Sequence, residues 1–363
     1  MSEKRYNIAI IGYGLAAKIF HIPHILRVPS LNFYGIVQRH PTPDNDAQKD
    51  FPGIQSWRSS DEMLADSSVD VVIVTTLPES HFALTKAALE AGKHVVVEKP
   101  FVPTSEEATE LCRLAASKDL ILTVYQNRRY DADFLTLRRL LADNTLGRIV
   151  EFETHFDRHQ PARPQTWRQT SAPGVSQIYD LGTHLLDQAL VCFGLPKRIT
   201  AFIGHQRAVP EAERDGYAAD SFTVLLHYER EEGTMLVTAK AAVVSPEQEQ
   251  LRCWVRGEKG SYKKCWLDVQ EEQLHEGLRP GDEGFGVEPE SRWGTLTTAR
   301  EGKCVSETHP TVEPATYVEY YRVLAKALAG KGPVPVDPEQ NAQLIRLVEL
   351  AIESSKRWRT MDV

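Results

Sequence analysis

The sequence predicts two domains of different class: an α/β domain on a doubly wound parallel sheet, then an α+β domain whose sheet is open and mainly antiparallel. Three observations carry this. A glycine turn joins the first apolar strand to a helix. Apolar strands then alternate with helical segments up to about residue 125. Beyond about residue 148 the pattern becomes the period-2 alternation of half-buried strands. The length of 363 residues suits two domains of about 100 to 200 residues each, divided here as 1–125 and 126–363.

The first strand is the apolar run in "YNIAIIGYG", and the chain turns through Gly12 and Gly14 into a helix whose early face carries Leu15 and Ile19. The spacing G-x-G-x-x-A, with Ala17 at the third small position, suits a dinucleotide fold. The first glycine permits the tight turn, the second lets the backbone approach a pyrophosphate, and the third small residue lets helix and strand pack closely. Gly12, Tyr13, Gly14, Leu15 and Ala16 are therefore candidate cofactor-binding residues. The motif alone is weak, and its context strengthens it. "LNFYGIV", "VDVVIVTT", "HVVVEKP" and "LILTVYQN" read as strands, with the helical "SHFALTKAALEAG" among them, the alternation of a Rossmann sheet with helices on both faces. NAD enzymes place an acid about 20 residues beyond the glycines. Here the second strand ends Val37-Gln38-Arg39-His40, with no acid before Asp44. A planar arginine fork pairs well with phosphate, so Arg39 points to NADP over NAD.

Composition narrows the class. Charged residues make up 25% and hydrophobic ones 42%, ordinary for a soluble globular chain. A net charge of -8 argues against the basic surface that nucleic acid needs. No apolar run approaches the ~18 residues of a membrane span, and "MSEKRYNIAIIGYG" shows no apolar signal core. Cys112, Cys192, Cys253, Cys265 and Cys304 are scattered without a C-x-x-C pair, which indicates neither a disulfide framework nor a zinc site. The expectation is a cytoplasmic protein without a metal, acting on a small molecule.

"VVVEKPF" delivers Glu98 and Lys99 at the end of a buried strand, where Pro100 stops it and biases Lys99 toward an extended backbone. Ligands in such sheets lie outside the carboxyl ends of the strands. The neighbouring strand ends at Thr75-Thr76, followed by Pro78 and His81, so these residues form a polar edge on the same rim. Taken alone, Lys99 reads equally well as a surface lysine.

Gly12-Tyr13-Gly14-Leu15-Ala16-Ala17, "TTLPESH" and "AGKHVVVEKP" together resemble the glucose-fructose oxidoreductase and inositol dehydrogenase (Gfo/Idh/MocA) family, and the resemblance runs over essentially the whole chain. It implies that Lys99 lies beside a nicotinamide and the reacting hydroxyl, and that the Lys99-Pro100 bond is cis. Glu98 and Asn127 join the cofactor-binding set on the same ground.

In the second domain "IVEFETHFD" sets Val150, Phe152, Thr154 and Phe156 against Glu151, Glu153, His155 and Asp157. "RITAFIGHQ", "SFTVLLHYE", "TMLVTAKAAVV" and "LRCWVRGEKGSYKKC" are further strand candidates. An open sheet face needs a cover, and the resemblance implies a homodimer, or a dimer of dimers, through it. In "QIYDLGTHLLDQALVCFG" a helix from about Asp180 puts Asp180, His184, Asp187 and Val191 along one non-packing side, with Leu181, Leu185, Ala189 and Phe193 elsewhere. Asp180 and His184, one turn apart, suit a hydrogen bond or a metal half-site, and no third ligand has matching spacing. The resemblance implies that His184 meets the substrate hydroxyl while Asp180 binds a second hydroxyl or His184. The family's glycine-rich lead before this aspartate is reduced here to Gly174 in "SAPGVSQIYD".

Other substrate-binding candidates are Tyr125, Asn127 and Arg128 after a strand end, before a helix that Asp131 or Asp133 caps, and His159, Arg163 and Trp167 in the proline-broken "FDRHQPARPQTWRQ". Arg129 reads better as a helix salt bridge. Asp337 caps the last helix with Pro338 at its first position, this packing helix is expected to return near the domain junction, and the glycine-rich 279–294 reads as a long loop.

The implied reaction is hydride transfer between NADP, or NAD, and a secondary hydroxyl or ketone of a cyclic polyol or sugar. Histidine suits the general base because its ordinary pKa lies near working pH; Lys99 suits stabilisation of an alkoxide or sharing of the proton. Within the family the likeness runs toward NADP-dependent scyllo-inositol dehydrogenases through "NRRYD.DFLT" and "YDLGTHLLDQ". The competing expectation is a non-catalytic nicotinamide-binding regulator of sugar metabolism, disfavoured because Lys99, Asp180 and His184 are all present.

Overall fold

A computed structural model describes residues 4–163, 170–211, 216–313 and 316–363. The chain forms two compact units. The first comprises Met1–Tyr130, Gln270–Gly286 and Ala315–Gln343; the second comprises Asp131–Val269, Val287–Pro314 and Leu344–Val363.

The first unit is built on β1 (Tyr6–Ile11), β2 (Leu31–Val37), β3 (Gln55–Trp57), β4 (Val71–Val74), β5 (His94–Val97) and β6 (Leu122–Val124). Their order is β3-β2-β1-β4-β5-β6 with every neighbouring pair parallel. The strand order reverses between β1 and β4, the switch point where such sheets bind ligands. β4 is buried throughout, as a strand covered on both faces must be. Helices α1 (Ile22–Ile25), α2 (Ala47–Asp50), α3 (Ser60–Leu64), α4 (Pro78–Glu90) and α5 (Ser105–Ser117) connect the strands. α5 opens with a capping box in which Thr104 and Glu107 exchange side-chain and backbone bonds.

The second unit carries α6 (Ala132–Ala142), β7 (Ile149–His155), α7 (Thr183–Phe193), β8 (Arg198–Gly204), β9 (Ser221–Arg230), β10 (Gly233–Ala241), β11 (Leu251–Gly257) and β12 (Gly260–Cys265). β13 (Gly294–Arg300), β14 (Lys303–His309) and β15 (Met361–Asp362) complete a nine-stranded sheet in the order β14-β13-β12-β11-β7-β10-β9-β8-β15. Among the described residues of this sheet, only the β7–β10 pair is parallel. Phe152, Val237 and Val255 join Leu137, Leu185 and Leu347 in one core. On the opposite side of β7, half-buried Glu151 and Glu153 pair with Arg256 at 2.5 and 3.0 Å. The predicted alternation fails at Val150, which is 37% exposed. A register irregularity opposite Ile149, at Arg256/Gly257, breaks the pleat there.

The predicted boundary at 125/126 differs from the observed division. α8 (Gln270–Glu276), α9 (Val318–Leu328) and the start of α10 (Pro338–Arg357) fall in the first unit. The reason is aromatic packing: Tyr317, Tyr320 and Tyr321 are fully buried. Tyr320 stacks edge-on against Tyr125 with centroids 4.8 Å apart and donates to the Val124 carbonyl at 3.1 Å. Thr123 Oγ1 also donates to the Val336 carbonyl at 2.8 Å. Asp337 accepts from the Glu339 N–H at 2.9 Å, as a cap should. At α6, by contrast, the Ala132 N–H is taken by Asp268 at 2.7 Å. Asp131 stands at the cap position without a side-chain cap bond, while Asp133 turns inward to Arg252 at 2.7 Å and accepts the first-turn N–H of Phe134 at 2.7 Å.

Candidate active site

Gly12 leaves β1 at φ +107°, a region open to glycine. Its N–H donates to the Val37 carbonyl at 3.0 Å. A Cβ there would lie 3.0 Å from Thr75 Oγ1 and 3.2 Å from the Thr75 carbonyl oxygen. Gly14 differs: a Cβ built there meets no protein atom within 4 Å. The fold itself demands Gly12, whereas the space at Gly14 suits a group from outside the chain, which is what close backbone approach to a pyrophosphate requires. The loop therefore fits a dinucleotide. It does not enter the regular helix expected; Ala16–His21 is a π turn running into the single-turn α1. Leu15, a cofactor-binding candidate on the early face, is 53% exposed just before that turn. The Tyr13 hydroxyl donates to Asp50 at 2.5 Å, and Lys18 lies 4.3 Å above its ring.

Arg39 is exposed past the end of β2. Gln38 holds that turn, donating to the Asn45 carbonyl at 2.7 Å and accepting from the Ala47 N–H at 3.0 Å. Val37 pairs with Trp57, so Gln38 and Arg58 come next along the same rim. Arg58 is exposed and donates to Ser56 Oγ at 2.8 Å, giving a second cation beside Arg39 that was not anticipated because β3 is only three residues long.

On the β4 side, Thr75 Oγ1 donates to the Ile11 carbonyl at 2.9 Å and Thr76 shares a 2.7 Å bond with Ser80. Pro78 opens α4. His81 is buried with Nδ1 2.9 Å from the Pro100 carbonyl and Nε2 3.1 Å from the Thr76 carbonyl. Burial lowers its pKa against those contacts. Its ring thus ties the end of β4 to the segment beyond β5.

The Lys99-Pro100 bond is cis. Glu98 Oε2 accepts the Lys99 N–H at 2.9 Å, and Oε1 lies 2.9 Å from His21 Nε2. His21 Nδ1 is 2.5 Å from the Tyr321 hydroxyl. Burial pushes the Glu98 carboxyl up, but His21 and the charge and N–H of Lys99 outweigh it, so the net shift is downward. Tyr125 stacks on His21 at 4.3 Å and donates to the Phe20 carbonyl at 2.5 Å. It is only 1% exposed, a core ring rather than a rim group. Lys99 is half-buried. Asn127 and Arg128 are buried in the short 3-10 turn Asn127–Tyr130, where Arg128 pairs with Glu271 and Arg129 donates to Gln340 at 2.6 Å.

In the second unit, Asp180 lies in the π turn Ile178–Gly182, which runs into α7. A Cβ on Gly182 would stand 2.9 Å from Ile178 Cδ1 and 3.4 Å from Phe222, so glycine lets this turn seat against β9. His184, Asp187 and Gln188 are buried, which corrects the expectation of a non-packing side. Next to His184 and Asp187 on α7, Gln188 accepts from Arg252 at 2.8 Å, and Arg252 also donates to Thr154 at 3.1 Å while pairing with Asp133. His159 is exposed. Arg163 lies 4.0 Å from the Tyr217 ring centroid and donates to the Ala208 carbonyl at 3.2 Å. Trp167 lies outside the described residues. Among the described residues no group of three or more His, Cys, Asp or Glu is placed to hold a metal ion, and no helix is long and apolar enough to cross a membrane.

Residues 6–126 match the sequence family described as an oxidoreductase family NAD-binding Rossmann fold, and residues 138–363 match its C-terminal alpha/beta domain. The uncharacterized oxidoreductase YdgJ of Escherichia coli is 40% identical across 98% of both chains. The scyllo-inositol 2-dehydrogenase (NADP(+)) IolW of Bacillus subtilis is 34% identical across 98% of this chain and 95% of its own. Among solved structures, a Bacillus subtilis protein named as an oxidoreductase, yvaA, superposes with a TM-score of 0.92 at 32% identity, covering 99% of each chain.

Proposed function

The chain belongs to the Gfo/Idh/MocA oxidoreductase family, and within it we propose a cytoplasmic, NADP-preferring dehydrogenase of a secondary hydroxyl on a cyclic polyol or sugar. The observation that carries this is Lys99, delivered half-buried at the carboxyl end of β5 with its backbone fixed by Glu98. When bound, the nicotinamide supplies the hydride acceptor or donor. Arg39 and Arg58 bind the 2'-phosphate, in keeping with the NADP(+) in the name of the Bacillus relative. Gly12, Tyr13, Gly14, Leu15 and Ala16 cradle the pyrophosphate; Thr75, Thr76, Pro78 and His81 shape the facing rim. The Lys99 ammonium stabilises the developing alkoxide. His184 takes the hydroxyl proton and Asp180 orients it or holds a second hydroxyl. The chain pairs with a second copy through the open face of the nine-stranded sheet, where Glu151, Glu153, Trp254 and Arg256 are half-buried.

The test is reduction of NADP and of NAD by a panel of inositols, pentoses, hexoses and lactones, with Lys99→Ala alongside. Turnover with NADP that falls about 100-fold or more in the variant is expected. Cofactor binding without turnover on any member would instead favour a nicotinamide-sensing regulator.

A further inference from the structure

The residues behind Lys99 form an unbroken buried chain: the Tyr321 hydroxyl, both ring nitrogens of His21, both oxygens of Glu98, and the Lys99 N–H. His21 and Tyr321 are fully buried, and Glu98 is 9% exposed. We propose that His21 and Tyr321 are positioning residues for Lys99, acting through Glu98. An ionised carboxylate only accepts hydrogen bonds, so His21 Nε2 carries its proton whichever charge the ring bears. A buried carboxylate needs more than one partner to stay ionised. Here the partners are the His21 ring and the backbone of the lysine itself. Tyr321, on α9, fixes the ring from its other edge, and Tyr125 stacks on its face. Removing the ring leaves Glu98 with burial and fewer partners, which favours its neutral form and weakens its grip on the Lys99 N–H. The lysine then loses both its fixed point of departure and a neighbouring negative charge. This inference rests on the reading of Lys99 as catalytic, and neither His21 nor Tyr321 need touch substrate.

The deciding measurement needs no substrate. The protein is acylated with a succinimidyl ester, and the labelling rate of each lysine is followed by mass spectrometry. In His21→Phe the rate at Lys99 is expected to rise about threefold or more, while exposed Lys118 and Lys303 keep theirs. A merely structural lesion would move all three. Turnover on the polyol panel gives the second readout: kcat falls about 10-fold with KM for NADP within about twofold, and His21→Gln, which keeps a donor for Glu98, recovers part of the loss. Tyr321→Phe keeps its ring and carries the same prediction in weaker form, so it decides the matter if His21→Phe does not fold. Wild-type labelling and wild-type kcat in the folded variants would overturn the inference even where Lys99→Ala is dead. Full activity in Lys99→Ala would instead overturn the functional reading beneath it.

Discussion

Gly12 and Gly14 divide two demands between two residues, and substitution separates them. Gly14→Ala adds a methyl where no protein atom lies within 4 Å. It is expected to melt within a degree or two of wild type while NADP affinity, read by quenching of intrinsic fluorescence, falls about 10-fold. Gly12→Ala forces a side chain onto φ +107° beside Thr75 and should cost about 1–3 kcal/mol of stability. At the rim, Arg39→Asp with Arg58→Ser is expected to lower the NADP to NAD ratio of kcat/KM about 10-fold or more; an unchanged ratio would remove both cations from the 2'-phosphate. His24 gives the pH prediction. Burial first, and then the charges of His21 and Arg279, lower its pKa to about 3 against the pull of the Phe20 carbonyl. The unfolded chain therefore binds a proton there that the folded chain refuses, and stability is lost as pH falls below the ordinary value near 6.5. His24→Leu should flatten the fall in denaturation midpoint between pH 7 and 5, by about 2 kcal/mol at the lower end.

α7 shows how an element can look amphipathic in sequence and still be buried on its polar side. His184, Asp187 and Gln188 are buried, and Gln188 accepts from Arg252, which pairs with Asp133, two side chains more than fifty residues away in opposite directions. Asp133→Ala strands the Arg252 guanidinium in the interior and should cost about 3–5 kcal/mol, seen in the urea midpoint of the second unit. A midpoint within error of wild type would mean that the pair is replaceable. Partners of this kind leave no periodic trace. β4 and β5 were legible as apolar, β-branched runs ended by turn residues and β2 as a mainly apolar one, and "AGKHVVVEKP" offers Lys99 as a candidate through its family resemblance. β3 was not, since "QSW" is too short to show a period. α8 was not, because "QEEQLHE" is almost wholly polar. The π turns at Ala16–His21 and Ile178–Gly182 have no residue signature, yet both fall where the candidate residues gather, as π turns often do at functional sites.

Across the whole chain, the units are discontinuous in sequence although each is compact. The first needs Tyr317, Tyr320 and Tyr321, all fully buried, from a segment that follows most of the second. A fragment ending at Tyr130 is expected to unfold without cooperativity by calorimetry; a sharp transition would show that the later aromatic rings are ornament to that unit. The sequence supports a last helix that packs back near the domain junction, but not which residues complete the first unit, because those contacts join residues about 200 apart, such as Thr123 with Val336. The same feature orders events during synthesis. The nucleotide-binding sheet is translated before the second unit, yet the closing segment of its own unit ends at Gln343. At about 5–20 residues per second, the nascent sheet waits tens of seconds on the ribosome with the apolar surface around Tyr125 uncovered. The nucleotide-binding domain is completed only after most of the second has been made, and for that interval the growing chain is a natural client for chaperones.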